Sequence, residues 1–210
     1  GGGGSGTFIY MAIRRPQATP TTASDVFAIS TFGQAGDSKE PAYRSTFPVD
    51  MSFETTTAGA SKFISSRLTG TQYMKTDASA AEVADSNLDY DYMNGVYTST
   101  GTLSAYYRWM WKRARGFFDV CCYTGTGSAR TVTHNLGVAP EMIWVKTRSN
   151  DVGWAVYHSS QGFSKGGRLE TTDAFGTETN RVTAASSTTF SVGTDGYVNV
   201  SARTYIAYLF

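Results

Sequence analysis

The sequence predicts an all-β protein, with two tandem antiparallel β-sandwich domains, jelly-roll-like and related by an internal repeat. Three observations lead there. The composition combines Gly (22), Tyr (13) and Phe (12) with abundant Thr and Ser and only 17% charged residues, the mixture that short half-buried strands and tight turns use. Short apolar runs alternate with turn chemistry along the 210 residues. Large apolar residues also recur at two fixed offsets, as a duplication requires.

The elements follow in chain order. Residues 7–13 read as the closing strand of a preceding unit, and RRPQATPTTAS, with two prolines, reads as a linker, so 1–24 form a lead-in. Glycines 1–4 with Ser5 fit either an engineered linker or a Gly-rich turn before that strand. The first domain, 25–112, has strand signals in DVFAIST, FPVDMSF, SKFISS, TQYMKT and LSAYYRWMW. After the short linker KRARG, the second domain, 113–210, has them in GFFDVCCYTG, ARTVTHN, EMIWVKTR, GWAVYHS, GRLETT, TTFSVG, YVNVS and RTYIAYLF. Turns such as Asn135-Leu136-Gly137 and Thr194-Asp195-Gly196 separate them. DASAAEVADS (77–86) is the one weak helical candidate, so very little helix is expected.

The repeat is written at two spacings. Tyr10-Met11-Ala12, Trp109-Met110-Trp111 and Tyr208-Leu209-Phe210 recur at steps of 99 residues. Phe27/Phe118, Phe32/Tyr123, Met51/Met142, Phe53/Trp144 and Phe63/Trp154 are each 91 apart. A first linker 8 residues longer, together with 8 extra residues in the second unit, reconciles the two. In the final strand, Ile206, Tyr208 and Phe210 share one face and Tyr205, Ala207 and Leu209 the other, so both faces are apolar. Such a strand should be central or covered, and its removal should unfold the second unit while sparing the first.

Charge and cysteine usage narrow the function classes. The net charge is +1 with scattered basic residues, and the longest cluster, WKRAR (111–115), is short, so neither nucleic acid nor an anionic membrane is an expected partner. No run of 18 or more apolar residues predicts membrane insertion. Cys121 and Cys122 are adjacent, which makes a mutual disulfide awkward; they read as free thiols used as small buried hydrophobes.

Candidate chemistry is sparse. GTGSAR (125–130) lacks the third glycine of a dinucleotide loop and precedes a strand-like run, so it reads as a hairpin turn. DYDYMNG (89–95) begins like a calcium loop, but Met93 occupies a ligand position and the bidentate Glu is missing, which leaves a turn. His134 and His158 have no GxSxG-type serine to serve. Glu141, Glu170, Asp173 and Glu178 show no pairing that glycoside hydrolysis would need. The expectation is therefore no enzyme: no catalytic residue, no metal and no cofactor. Tyr90, Tyr92, Tyr97, Trp154, Tyr157 and His158 are the candidate glycan or receptor contacts, with core filling as their competing role.

GTFIYMAIRRP (6–16), GFFDVCCYTGTGSARTVTHNLGVAPEMIWVK (116–146), GWAVYHS (153–159), TTFSVGTDGYVN (188–199) and TYIAYLF (204–210) give the chain a family likeness. It resembles repeat modules of virion structural proteins of tailed bacteriophages, especially marine ones, in tail-fibre or tail-tip-like chains. FPVDMSF (47–53) and QYMKTDA (72–78) look like a more divergent copy. The resemblance implies a non-enzymatic virion component, serving as spacer and attachment surface on the extracellular phage particle. Its implied partners are other virion proteins, further copies of this chain (a trimer by analogy) and a host surface glycan. A carbohydrate-binding or polysaccharide-degrading host-recognition module is the alternative. The likeness brings no catalytic or binding residues with it.

Overall fold

The computed structural model describes residues 19–31, 41–56, 62–98 and 106–210, so the strand expected at 7–13 lies outside the described residues. The chain is all-β, and every strand pair among the described residues is antiparallel. Helix among the described residues is confined to single 3-10 turns at Ala23–Asp25, Arg67–Thr69 and Ser159–Gln161. None is long and apolar enough to cross a membrane.

A six-stranded sheet forms from β1 (Phe27–Thr31), β3 (Met51–Thr56), β4 (Phe63–Ser66), β5 (Gln72–Lys75), β6 (Val83–Ala84) and β8 (Tyr106–Trp111), in the order β1-β8-β3-β4-β5-β6. Short strands β2 (Tyr43–Arg44) and β7 (Gly95–Val96) pair separately. Beyond them, β9 (Asp119–Thr124), β11 (Met142–Thr147), β12 (Ala155–His158) and β17 (Thr204–Leu209) make a four-stranded sheet, β12-β11-β17-β9. A three-stranded sheet joins β10 (Arg130–Thr133), β15 (Val182–Ala185) and β16 (Thr189–Val192), and β13 (Lys165–Gly166) pairs with β14 (Gly176–Thr177).

The two larger sheets share one wiring, since β1-β8-β3-β4 and β9-β17-β11-β12 have the same strand order. Their registers coincide residue by residue. Ala28 faces Met110 as Asp119 faces Leu209, and Ser52 faces Met110 as Ile143 faces Leu209. The fourth strand departs by one residue. Met51 faces Ser66 but Met142 faces His158, so the structural match of Phe63 is Ala155, not Trp154. The loop between β11 and β12 is one residue longer than that between β3 and β4. This shift makes Ser66 and His158 equivalent. Each caps the 3-10 turn that follows, Ser66 accepting from the Leu68 N–H and His158 Nδ1 from the Ser160 N–H.

The four-stranded sheet is covered on both faces. On one side Ile143, Val145, Tyr157, Tyr205, Ala207 and Leu209 pack with Val132, Val182, Phe190 and Val192 of the three-stranded sheet. On the other, Phe118, Val120, Trp154, Ile206 and Tyr208 pack with Met51, Ile64 and Met74 of the six-stranded sheet. This explains the apolar character of both faces of β17, which lies between two partners with Ile206 to Leu209 fully buried. It also changes the expected effect of deleting that strand. The face carrying Ile206, Tyr208 and Phe210 covers Met51, Ile64 and Met74 of the six-stranded sheet, so its loss bares that side of the first unit as well.

Polar contacts cross the same boundary. The Trp154 indole N–H donates to the Lys75 carbonyl at 2.9 Å, Arg148 holds Glu82 through two bonds of 2.7 and 3.1 Å, and Ser79 bonds Asp151.

Several local expectations shift. GTGSAR is not a hairpin turn: it carries the chain from β9 in one sheet to β10 in another, and Asn199 anchors it through the Thr126 N–H and the Ser128 carbonyl. YVNVS is irregular and supplies that anchor, while GRLETT makes only the isolated bridge of Gly167 with Val156. DASAAEVADS contains β6 and no helix. The thiols are free, but Cys121 is only half-buried and Cys122 is exposed. Alternation puts one of any adjacent pair on each face, and on this edge strand only the face toward the three-stranded sheet is covered at that point.

Candidate functional site

The six aromatic and His candidates are dispersed. Tyr90, Trp154 and Tyr157 are buried, each in a different core. Tyr92 and Tyr97 are half-buried neighbours with ring centroids 6.2 Å apart. His158 is half-buried, with Nδ1 taken by Ser160. Tyr157 stacks on Phe163, rings 4.8 Å apart. His134 is buried, and its Nδ1 accepts from the Leu136 N–H. Asp89 and Asp91 belong to a turn, in which the Asp89 carboxylate accepts the Asp91 N–H and the Asp89 backbone bridges to Tyr97.

A different group of residues converges in the first unit. On the face of the six-stranded sheet turned away from the second unit, Arg108 on β8 stands opposite Glu54 on β3, and Glu54 opposite Phe63 on β4. One residue pair further along, Met110, Ser52, Ser65 and Tyr73 form the next row. The Arg108 guanidinium pairs with Glu54, donates from Nη1 to Ser52 Oγ at 3.1 Å, and lies 4.7 Å from the centre of the Tyr43 ring. The Tyr90 hydroxyl bridges Ser52 and Ser65, at 2.7 Å from each. Arg108 Nε and the Tyr43 hydroxyl are buried and have no partner among the described residues.

Electrostatics follow from this placement. Burial opposes the charge on Arg108, but Glu54 beside it, together with the Tyr90 and Tyr43 phenols, outweighs that and holds the guanidinium above its ordinary pKa. Burial, helped by Glu54 and Tyr106, pushes the Tyr43 phenol up to about 12 against the pull of Arg108, and burial raises Tyr90 as well. Both phenols therefore stay protonated donors at neutral pH.

The cluster opens into a cavity of ≈ 220 Å³ lined by Glu54, Phe63, Ser65, Tyr73, Asp85, Leu88, Thr98, Tyr106 and Arg108. Its floor is buried, formed by Ser65, Leu88, Thr98 and Arg108, and its rim holds the half-buried rings of Phe63, Tyr73 and Tyr106 and the carboxylates of Glu54 and Asp85. Phe63 and Tyr73 meet edge to face at 5.0 Å, and Lys75 Nζ stands 5.9 Å from the Phe63 ring.

In the second unit, the strand registers put Ala207, Val145 and Ala155 where the first has Arg108, Glu54 and Phe63. They likewise put Ile143 and Tyr157 in place of Ser52 and Ser65. Those residues form a closed apolar core. The fold is thus built in one copy without any charge at these positions. The signal was present in the sequence: on the 99- and 91-residue offsets Arg108 falls on Ala207 and Glu54 on Val145. Matching apolar with apolar residues passes over such mismatches, and they are the informative ones.

A second, larger cleft of ≈ 470 Å³ lies at the junction of the units, lined by Asp50, Arg67, Lys112, Arg113, Arg115 and Asp119 among others. Its charges largely answer one another. Asp119 accepts from Arg113 Nε at 2.7 Å and from the Asn135 N–H at 2.6 Å, and Asp50 accepts the Arg113 N–H at 2.7 Å. Burial raises the Asp50 carboxyl above its usual range despite that bond and nearby Arg67. This cleft therefore acts first as a clamp on the KRARG linker.

The profile of a family described as a domain of unknown function (DUF7483) matches residues 55–210, most of the chain, and the chain belongs to that family. No curated protein and no solved structure matches it.

Proposed function

We propose that this member of the DUF7483 family is a non-enzymatic structural component of a tailed-bacteriophage virion, a tail-fibre or tail-tip-like spacer that also presents an attachment surface. In this reading 25–112 and 113–210 are tandem jelly-roll-like sandwiches, assembled in the particle as a closed homo-oligomer, with a trimer as the analogous case. The observation that supports it most is the packing of two like-wired sheets through one apolar layer, reinforced by Trp154–Lys75 and Arg148–Glu82. A joint with a buried apolar layer and bidentate ion pairing holds two modules at a fixed angle, as a load-carrying spacer needs, whereas flexibly linked modules reorient freely. The sequence likeness to phage repeat modules supplies the virion context.

Electron microscopy of phage particles labelled with an antibody to this chain tests the placement: label on the tail or its fibres is expected, and unlabelled particles in a lysate that contains the protein overturn it. Light scattering on the purified chain tests the assembly, with a stable monomer as the refuting result. The attachment half of the proposal draws on the polar cavity of the first unit, a feature that the second copy lacks.

A further inference from the structure

We infer that the cavity over Arg108 and Glu54 is a binding site for one neutral sugar ring, the terminal residue of a surface glycan. This deepens the attachment half of the reading above and rests on it only for where the glycan is met.

The first argument is the comparison within the molecule. Burying an ion pair in a sheet core is at best neutral for stability, and well-packed apolar residues of the same shape do the structural task as well. The second unit demonstrates this with Ala207, Val145 and Ala155 in the same register. A copy that keeps Arg108, Glu54, Ser52, Ser65 and Tyr90 at those places departs from the packing rule without structural need, which is where function is expected.

The second argument is the incomplete satisfaction of the cluster. Arg108 is only 4% exposed and lines the cavity, yet its Nε has no partner among the described residues. Buried polar atoms are nearly always bonded, so an orphaned donor beside a cavity points to an absent acceptor.

The chemistry of the lining then selects the ligand. At about 30 Å³ per water the cavity holds roughly seven waters; its volume of ≈ 220 Å³ lies below the ~300–1,000 Å³ of drug-sized sites and suits a single six-membered sugar ring. Half-buried rings at the rim, Phe63, Tyr73 and Tyr106, offer faces to the C–H side of a sugar. Glu54 and Asp85 accept from hydroxyls, and Arg108 and Ser65 donate to them. With two carboxylates and one guanidinium in the lining, there is no excess of positive charge to attract a uronate or a sialic acid.

The test is an immobilised array of neutral and acidic glycans probed with the purified chain, its Asp85→Asn variant and the paired variant Arg108→Ala/Glu54→Val. The pair copies residues that the second unit already accommodates, and circular dichroism and melting confirm that each variant is folded. The expected result is retention of wild type on neutral glycans, at least a tenfold loss in both variants, and little retention on acidic ones. Overturning results are no retention of wild type on any glycan, retention of both variants equal to wild type, or preference for the acidic glycans. The array uses the isolated protein and the antibody labelling uses particles, so the sugar site and the virion placement fail independently.

Discussion

Lys146 lies on β11 on the side turned toward the first unit, is fully buried, and offers a quantitative check on the packing of the two sheets. Its ammonium donates to the carbonyls of Thr147 at 2.9 Å and Asn150 at 3.4 Å. Burial pushes its pKa down from 10.5 to about 8, and the nearby carboxylates of Asp151, Glu170 and Glu82 recover only part of that. At about 1.4 kcal/mol per pH unit, keeping the charge in the folded state costs about 3 kcal/mol.

The sign follows from proton counting. Between about 8 and 10.5 the unfolded chain holds this proton and the folded chain does not, so stability rises with pH across that window. Below about 8 both states are protonated and the full cost is present. Lys146→Met keeps the unbranched stem and removes the charge, at the loss of two hydrogen bonds worth about 1 kcal/mol each. The variant should therefore be more stable than wild type by about 1 kcal/mol at pH 7. Its advantage should reverse as wild type recovers about 3 kcal/mol on the way to pH 10.5. Urea titrations of both proteins at half-unit steps from pH 6 to 10.5 measure the difference, in which the shared titrations of the thiols and phenols cancel. A difference that stays flat across the window refutes the burial of this ammonium between the sheets.

Arg108→Ala alone strands Glu54 and should cost about 3 kcal/mol or more, whereas Arg108→Ala/Glu54→Val should cost far less; equal losses in denaturant titration would contradict the pairing. Tyr208→Phe removes a buried hydroxyl with no partner among the described residues and should raise stability by about 1 kcal/mol, read as a higher urea midpoint at unchanged slope. Trp154→Ala empties a fully buried site and breaks the bond to Lys75, costing about 3–5 kcal/mol. Calorimetry should show it lowering one common transition of both units, and a second transition left at the wild-type temperature would show that the units melt independently.

The strand content and the double-sided burial of YIAYLF were legible from local alternation, and the recurrence of matched strands from the two offsets; the strand order shared by the two sheets comes from the pairing alone. Ser-to-His equivalence at positions 66 and 158 was not, since a one-residue insertion in the loop before β12 shifts the offset from 91 to 92 and strand pairing alone reveals it. GTGSAR looked like a hairpin because turn chemistry marks where a chain bends and not which sheet it enters next. Trp154 and Tyr157 were candidate contacts with core filling as the competing role; Trp154, just before β12, and Tyr157, within it, are buried in the layers on opposite faces of the sheet. The polar cavity escaped for a further reason. Arg108 sits in YYRWMW among large aromatics, and a single charge there reads as a solvent-facing residue until the cover from Tyr43 and Tyr90 is known.

The four-stranded sheet has no outward face left to vary. Each residue along the middle of β17 answers to one layer or the other, so a change there meets packed side chains whichever face it points to. The first unit's sheet answers to the second on one side only, and its remaining side already tolerates Arg, Glu and Ser where its twin demands Ala, Val and Ile. Two like-wired sheets thus carry different constraints: the copy enclosed by two apolar layers fixes the geometry, and the other holds a buried polar cluster on its far face without unsettling that layer.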